Sequence, residues 1–144
     1  MTVPTNGPTY ALTWRLPGAR LADVEASVRT TLAAEGFGIV SEIDLQATLL
    51  KKLGVQRRPY KILGACNPHF AKEALELEPG LGVFLPCNVD VWEDEGGVAV
   101  LQAVRPDKMI ELAANPALGP LAAAIQLKLE RALAAAARAN GGAT

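Results

Sequence analysis

The pattern of hydrophobic and polar positions changes its period several times along the chain, which predicts both strands and helices. Residues 9–16 alternate, so four bulky side chains share one face of a strand: Tyr10, Leu12, Trp14 and Leu16. From residue 19 the apolar positions recur at helical spacing, at Leu21, Val24, Val28 and Leu32. Gly36 follows as a typical C-terminal helix residue, so we predict an amphipathic helix over residues 19–35.

Alternation returns in four further stretches, which we predict to be strands at residues 37–45, 60–66, 82–92 and 98–104. In the first of these stretches one face carries Ile39, Ser41, Ile43 and Leu45. The third stretch is long and contains Pro86, which cannot donate a ladder hydrogen bond and therefore indicates a bent strand or an edge strand. Residues 93–97 between the last two strands predict a hairpin turn.

Helical stretches separate and follow these strands. We predict one or two helical turns over residues 46–54 and a short helix over residues 68–77. Another short helical stretch is predicted after Pro106. The final helix, over residues 117–139, has an apolar stripe of Leu118, Leu121, Ile125, Leu129 and Leu133. Together these elements predict an α+β fold: an antiparallel sheet of about five strands packed on two long helices. The predicted order is strand, helix, four strands, helix, with short helical inserts.

Length and composition add the domain organisation and exclude some partners. At 144 residues, half of them hydrophobic, the sequence predicts one domain over 1–144, with a flexible arm at 1–8, a folded part at 9–139 and a flexible tail at 140–144. A net charge of −1 argues against a nucleic-acid partner, and no apolar run is long enough to span a membrane. Since no signal peptide is visible, we expect a cytoplasmic, reducing setting in which the cysteines are thiols.

Each of the two cysteines is followed by an asparagine. In the first motif Asn67 is a favoured helix cap and Pro68 a favoured first helical residue, so we expect Cys66 just outside the N-terminus of the short helix. The positive end of that helix favours the thiolate form of Cys66. It also favours the neutral imidazole of His69, the only histidine in the sequence.

In the second motif a period of two places Cys87 on an apolar strand face, together with Val83, Leu85, Val89 and Val91. Such an environment is typical of a thiol in the core. Asn88 is expected on the other face with Asp90, where a buried amide needs hydrogen-bond partners. Asn88 therefore suits either a ligand contact or a structural role.

The first functional hypothesis is a small-ligand-binding or regulatory domain. Asn67, His69 and Asn88 would bind a small anionic or polar molecule near the start of the short helix, where backbone N–H groups are available. Asp44 is a further candidate, because it shares a strand face with Glu42 as a carboxylate pair. An exposed, solvated strand face accounts for the same two carboxylates.

Two other hypotheses use the thiols. Cys66 would act as a thiolate in redox or sulfur chemistry, with Cys87 as the resolving thiol. Alternatively, Cys66, His69 and Cys87 would bind zinc, with Asp44, water or a partner chain as the fourth ligand. Both thiols also suit purely structural positions, and the sequence names neither a reaction nor a cofactor.

Residues 64–94 resemble the domain-of-unknown-function 302 family, which carries a Cys-Asn-Pro element followed further along the chain by Leu-Pro-Cys-Asn. Here the two elements are residues 66–68 and 85–88, and residues 36–54 are similar to the family segment that precedes them, including Asp44. The resemblance covers roughly residues 19–110 and does not include His69. It implies a fold similar to the TATA-binding-protein-like group and a homodimer, and it implies no established activity.

Overall fold

A computed structural model describes residues 7–142. Its strands are β1 (Ala11–Leu16), β2 (Gly38–Asp44), β3 (Tyr60–Cys66), β4 (Cys87–Glu93) and β5 (Ala99–Val104). Its α-helices are α1 (Leu21–Ala34), α2 (Leu45–Leu53), α3 (Pro68–Leu77), α4 (Pro106–Ala113) and α5 (Gly119–Ala139). Short 3₁₀ helices cover Pro79–Phe84 and Pro116–Leu118. The order predicted from the sequence is confirmed.

The five strands form one antiparallel sheet in the order β1-β5-β4-β3-β2. β4 and β5 form a hairpin, and β5 also pairs with β1, so β1 and β2 are the two edges of the sheet. Helices and an antiparallel sheet in these positions confirm the α+β fold. The similarity to the TATA-binding-protein-like group stays a prediction.

One face of the sheet forms the core with α1 and α5, which pack on each other. The apolar stripe of each helix meets the inward side chains of the strands, as the sequence period predicts. Fully buried members of this core include Leu12, Val28, Leu63, Val89, Leu101, Leu129 and Leu133. Burial of such side chains, each contributing about 1.5–3 kcal/mol, is the main stabilising term.

The opposite face of the sheet, which we call the outer face, carries polar and aromatic side chains. The strand register places five of them there, together with one aliphatic side chain (Ile62): Tyr60, Asn88, Asp90, Trp92 and Gln102. Asn88 is exposed and the other five are half-buried. A sheet with one buried face and one polar, partly solvated face is typical of antiparallel architecture.

The predicted side-chain alternation in β2 is wrong. Ile39 pairs with Ala65 whereas Ser41 pairs with Gly64, so β2 advances two residues while β3 advances one. This bulge at Val40 moves the side chains that follow it to the opposite face of the sheet from the one predicted. Ile39 therefore faces the core, while Ile43 lies on the outer side, opposite Ile62.

The predicted long strand over residues 82–92 is shorter than expected, because β4 begins only at Cys87. The preceding residues fold as the 3₁₀ helix Pro79–Phe84, which leaves the Val83 side chain 86% exposed rather than in the core. The Leu85–Pro86 peptide bond is cis, and Pro86 lies over Gly64 of β3. The proline therefore marks the entry to the strand and is not an interruption within it.

The predicted domain boundaries stay a prediction. Most of the arm predicted at 1–8 and the end of the tail predicted at 140–144 lie outside the described residues. The final helix ends at Ala139, as expected. Between residues 7 and 142 none of the helices combines the length and the apolar character needed to cross a bilayer.

Candidate functional site

Asn67 is buried and its side chain is engaged by the fold. Its Oδ1 accepts a hydrogen bond from the backbone N–H of Phe70 at 3.3 Å, which makes it the N-cap of α3, as predicted. Its Nδ2 donates to the carbonyl of Glu35 at the end of α1, at 3.5 Å. The Asn67 amide thus ties two helices together, and both of its polar atoms already have partners.

His69 lies in the first turn of α3, and its side chain is exposed. It lines a small hollow of about 160 Å³ together with Asn67, Glu73, Lys128 and apolar residues of α3 and α5. This hollow is smaller than the roughly 300 Å³ at which ligand pockets usually begin. His69 and Asn67 are therefore neighbours, as expected, but they do not form a cavity of ligand size.

Asp44 caps another helix. Its Oδ1 accepts from the backbone N–H of Ala47 at 2.9 Å, at the N-terminus of α2. Its strand neighbour Glu42 is held separately, by Arg29 at 2.7 Å and Lys61 at 3.2 Å. The hydrogen bond from Arg29 is the main reason that the pKa of Glu42 is lowered. The two carboxylates thus have different structural partners, and this geometry gives no support to an acid–base pair.

The two thiols lie close together in the sheet but on opposite faces. Cys87 pairs with Ala65 and points into the core, so the adjacent Cys66 points the other way. Burial, and secondarily the charge of Cys66, raises the pKa of the Cys87 thiol to about 11. Side chains that point apart cannot form a disulfide without backbone movement, and a buried thiol at this pKa is a poor nucleophile. The geometry gives no support to the redox hypothesis.

The thiols are expected to react with Ellman's reagent at very different rates. In the native protein one thiol per chain should react, because Cys66 is half-buried whereas Cys87 is buried and its raised pKa keeps it protonated. The second thiol should react only after unfolding in guanidinium chloride. Cys66→Ser should remove the native reaction and Cys87→Ser should keep it. Equal reactivity of both thiols in the native state would contradict the placement of Cys87.

The zinc hypothesis also lacks a set of ligands in the structure. Across residues 7–142 there is no group of three or more His, Cys, Asp or Glu side chains placed to hold a metal ion. Because Cys66 and Cys87 face opposite sides of the sheet, their sulfur atoms do not converge on one point.

Asn88 lies at the mouth of a cleft of about 360 Å³, which we call the Asn88 cleft. The cleft opens where the outer face of the sheet meets α4 and the segment that precedes β4. Most of its lining is apolar and includes Val83, Phe84, Leu85, Pro86, Met109 and Leu112. Tyr10 and Val104 complete the apolar part, and the polar contributors are Asn88, Arg105 and Lys108.

Three apolar side chains around this cleft are unusually exposed for a folded protein. Val83 is 86% exposed, Leu112 76% and Tyr10 66%. Single exposed apolar residues are ordinary, but their convergence on one concavity is typical of a binding surface.

Arg105 is held in place beside the cleft. Its Nε and Nη2 donate to the two carboxylate oxygens of Asp107, at 3.1 and 2.7 Å. This pair of parallel hydrogen bonds, which we call the fork, raises the pKa of Arg105. Burial disfavours ionisation of Asp107, but the hydrogen bonds and charge of Arg105 outweigh it and lower the Asp107 pKa. Since Asp107 occupies Nε and Nη2, the donors on Nη1 stay available to another acceptor.

The outer face next to Asn88 contains a carboxylate with an unpaired oxygen. Asp90 Oδ2 accepts from the Tyr60 hydroxyl at 3.2 Å, whereas its buried Oδ1 has no hydrogen-bond partner among the described residues. Burial raises the pKa of Asp90, and the hydrogen bond from Tyr60 offsets part of this effect. Burial, and then the charge of Asp90, raises the pKa of Tyr60 to about 12.

Neighbouring side chains fix the rest of this face. Trp92 stacks on Tyr60 with ring centroids 5.6 Å apart, and the Arg57 guanidinium lies 5.0 Å from the Tyr60 ring centroid. Trp92 Nε1 donates to Gln102 at 2.9 Å, and the Gln102 amide donates to Thr13 at 3.0 Å. A row of polar contacts therefore crosses β1, β5 and β4, so the outer face is a preorganised surface.

The four predicted ligand residues are not brought together. Asn67 and His69 border one hollow, Asp44 lines another of about 300 Å³ between the starts of α1 and β3, and Asn88 alone lines the Asn88 cleft. Three residues that line the Asn88 cleft were not predicted from the sequence: Arg105, Lys108 and Leu112. A signal existed, because Leu112 is a leucine on the polar side of a short helix whose buried residues are Pro106, Met109 and Ile110.

Comparison with known proteins identifies the family of this chain. The family model described as "Domain of unknown function DUF302" matches residues 12–136. A solved structure, described as the crystal structure of an uncharacterised conserved DUF302 protein from Bacillus stearothermophilus, is similar with a TM-score of 0.82 and 25% sequence identity. The match covers 90% of this chain and 99% of that one. No curated protein matches. The chain therefore belongs to the DUF302 family.

Proposed function

We propose that this protein is a small-molecule-binding or regulatory domain whose ligand occupies the Asn88 cleft. The observation that carries the proposal is the cleft itself, with a volume of about 360 Å³ and exposed apolar side chains at its rim. Ligand pockets usually have volumes of roughly 300–1,000 Å³ and mostly apolar walls with a few polar groups, which describes this cleft.

Of the residues predicted to bind a ligand, Asn88 lines the proposed site, whereas the start of α3 lies outside it. Both polar atoms of the Asn67 side chain are used within the fold, so a ligand would have to break the cap of α3 to reach them. Asn88 is exposed, and no described side chain forms a hydrogen bond with its amide. Its amide group offers two donors and one acceptor to a bound molecule.

Binding can be tested with the neutral fluorescent probe N-phenylnaphthylamine, whose emission rises in an apolar site. We expect saturable binding of one probe molecule per chain. Leu112→Asp should weaken binding about tenfold, because a leucine that a ligand covers contributes about 1.5 kcal/mol or more. Leu112 is 76% exposed in the free protein, so the variant should fold normally.

The matched control is Leu127→Asp, which changes an exposed leucine on α5 that does not line the cleft. The control should bind the probe like the unmodified protein and should unfold at the same temperature as Leu112→Asp. If the probe does not bind, or if both variants weaken its binding equally, the Asn88 cleft is not the site.

A homodimer and a cytoplasmic location remain proposals of the same kind. The edge strand β2 supports a second copy as partner, because its Val40 and Ile43 side chains are 65% and 46% exposed and one edge of its backbone has no strand partner among the described residues.

The proposed cytoplasmic location is supported by the two free thiols, which suit a reducing compartment.

A further inference from the structure

We propose that the ligand of the Asn88 cleft is a free carboxylate with a single unbranched hydrocarbon tail, an inference that rests on the function proposed above. The lining of the cleft combines apolar side chains with two cations, and these two components suit the tail and the head of one amphipathic molecule.

The apolar wall selects the tail. Phe84, Leu85 and Met109 form part of it, and the exposed Val83 and Leu112 lie at its rim. A hydrocarbon chain lying along these side chains would remove apolar surface of both partners from water, at about 25 cal/mol per Å². A polar or heavily hydroxylated ligand would instead leave its hydrogen-bonding groups unpaired against this wall.

The volume limits the size of the ligand. With roughly 30 Å³ for each water-sized group, a cleft of about 360 Å³ encloses on the order of a dozen non-hydrogen atoms, and a somewhat larger molecule such as the probe extends over its exposed rim. Decanoate, with ten carbon and two oxygen atoms, is of this size. A diacyl lipid or a folded peptide segment is much larger, so we commit to the free single-chain acid.

The charged lining selects an anion. Arg105 and Lys108 supply the positive charge in the lining, which contains no carboxylate among the described residues, and their partners Asp107 and Glu111 lie outside it. A carboxylate head there can accept hydrogen bonds from a guanidinium, an ammonium and the Asn88 amide. Such charge-assisted bonds are about twice as strong as neutral ones.

Both cations already have carboxylate partners, and the strength of each pair determines how much that cation can contribute to binding an anionic head group. Lys108 forms an exposed pair with Glu111 on the same helix at 3.3 Å, and an exposed pair of this kind is easily exchanged for a ligand. Arg105 keeps its fork with Asp107, and that fork fixes its guanidinium beside the cleft. We therefore expect Lys108 to supply most of the preference for an anion and Arg105 to orient the head group.

The test displaces bound N-phenylnaphthylamine with three ligands of equal chain length: decanoate, decan-1-ol and decylammonium. Decanoate should displace the probe at a concentration about tenfold lower than decanol, the factor expected for a charge-assisted hydrogen bond. Decylammonium should be weaker than both. Lys108→Ala should remove most of the preference for decanoate over decanol. Added salt should reduce the same preference.

The matched control is Lys72→Ala, which removes a lysine that is likewise paired along its own helix, with Glu76, but does not line the cleft. It should keep the full preference for decanoate. Equal displacement by all three ligands, with the probe still bound in the cleft, would overturn the ligand class and leave the proposed function standing. A probe that does not bind, or that binds Leu112→Asp and the unmodified protein equally, would overturn the function itself. A preference that survives Lys108→Ala unchanged would overturn the role of Lys108.

Discussion

Replacing Gly64 with alanine is expected to lower the free energy of unfolding by about 1–3 kcal/mol, the usual cost of overpacking. A Cβ atom at this position would lie 2.7 Å from Cγ of Pro86 and closer still to Oγ of Ser41. The Ser41 hydroxyl can rotate away, but the Pro86 ring can move only together with the chain that leads into β4. Thermal unfolding should show a Tm lower by roughly 3–10 °C.

The control for this prediction is Gly38→Ala on the neighbouring strand. A Cβ at Gly38 meets no atom within 4 Å, so the change should be neutral or stabilising by up to about 1 kcal/mol. Because Pro86 also lines the Asn88 cleft, Gly64→Ala should weaken binding of N-phenylnaphthylamine while Gly38→Ala should not. Equal stability of the two variants would show that Pro86 does not rest on Gly64.

The sequence was sufficient to predict the features that depend on local pattern. Asn67 followed by Pro68 predicts the start of α3, and the structure has the cap at that residue. The apolar stripes of α1 and α5 face the core because helical spacing alone determines which side chains share a face. The order of elements along the chain was also predictable, whereas the order of the strands within the sheet comes only from the structure.

Features that depend on pairing between distant residues could not be predicted in this way. The bulge at Val40 inverts half of β2, and no local signal marks it because it is defined only relative to β3. The Tyr60–Asp90 contact spans 30 residues and the Thr13–Gln102 contact spans 89. Placing these residues together requires the strand register, so the outer face emerges only from the structure.

The candidate site illustrates the same limit. Asn67 and Asn88 are equivalent in the sequence, each following a cysteine, yet one is used inside the fold and the other opens to a cleft. The difference arises because Asn67 begins a helix whereas Asn88 lies on the outer face of a strand. A repeated motif therefore does not imply a shared role, and the function depends on where each copy lies in the sheet.

Replacing Asp90 with asparagine is expected to stabilise the protein at neutral pH by about 1–3 kcal/mol, because the substitution removes a buried negative charge. At neutral pH the unmodified protein buries a carboxylate whose Oδ1 has no partner within residues 7–142. Asparagine keeps an oxygen for the Tyr60 hydroxyl at 3.2 Å and carries no charge. The measurement is urea-induced unfolding of both proteins from pH 3 to pH 8.

The stability gain should depend on pH in a definite direction. Burial raises the Asp90 pKa above its ordinary value of 3.8, so the folded state binds a proton more tightly than the unfolded state. The stability that comes from this tighter proton binding is fully present below pH 3.8. It is lost as the pH rises through the raised pKa of Asp90 in the folded protein. The difference between Asp90→Asn and the unmodified protein should therefore grow as the pH rises from 3.8 and then level off. Glu42, Asp94 and Asp107 have lowered pKa values and act in the opposite direction, but they contribute equally to both proteins and cancel.

Two further variants separate the carboxylate from its neighbours. Glu95→Gln changes an exposed carboxylate in the β4–β5 turn and should alter the free energy of unfolding by no more than about 0.5 kcal/mol. Tyr60→Phe removes the hydrogen bond that the Asp90 side chain accepts within residues 7–142, so it should cost more stability in the unmodified protein than in the Asp90→Asn background. A pH profile that Asp90→Asn leaves unchanged would mean that the carboxylate reaches water in solution. In that case the outer face beside the Asn88 cleft would be open to solvent at its centre, and Asp90 would be available to a ligand instead of being held within the sheet.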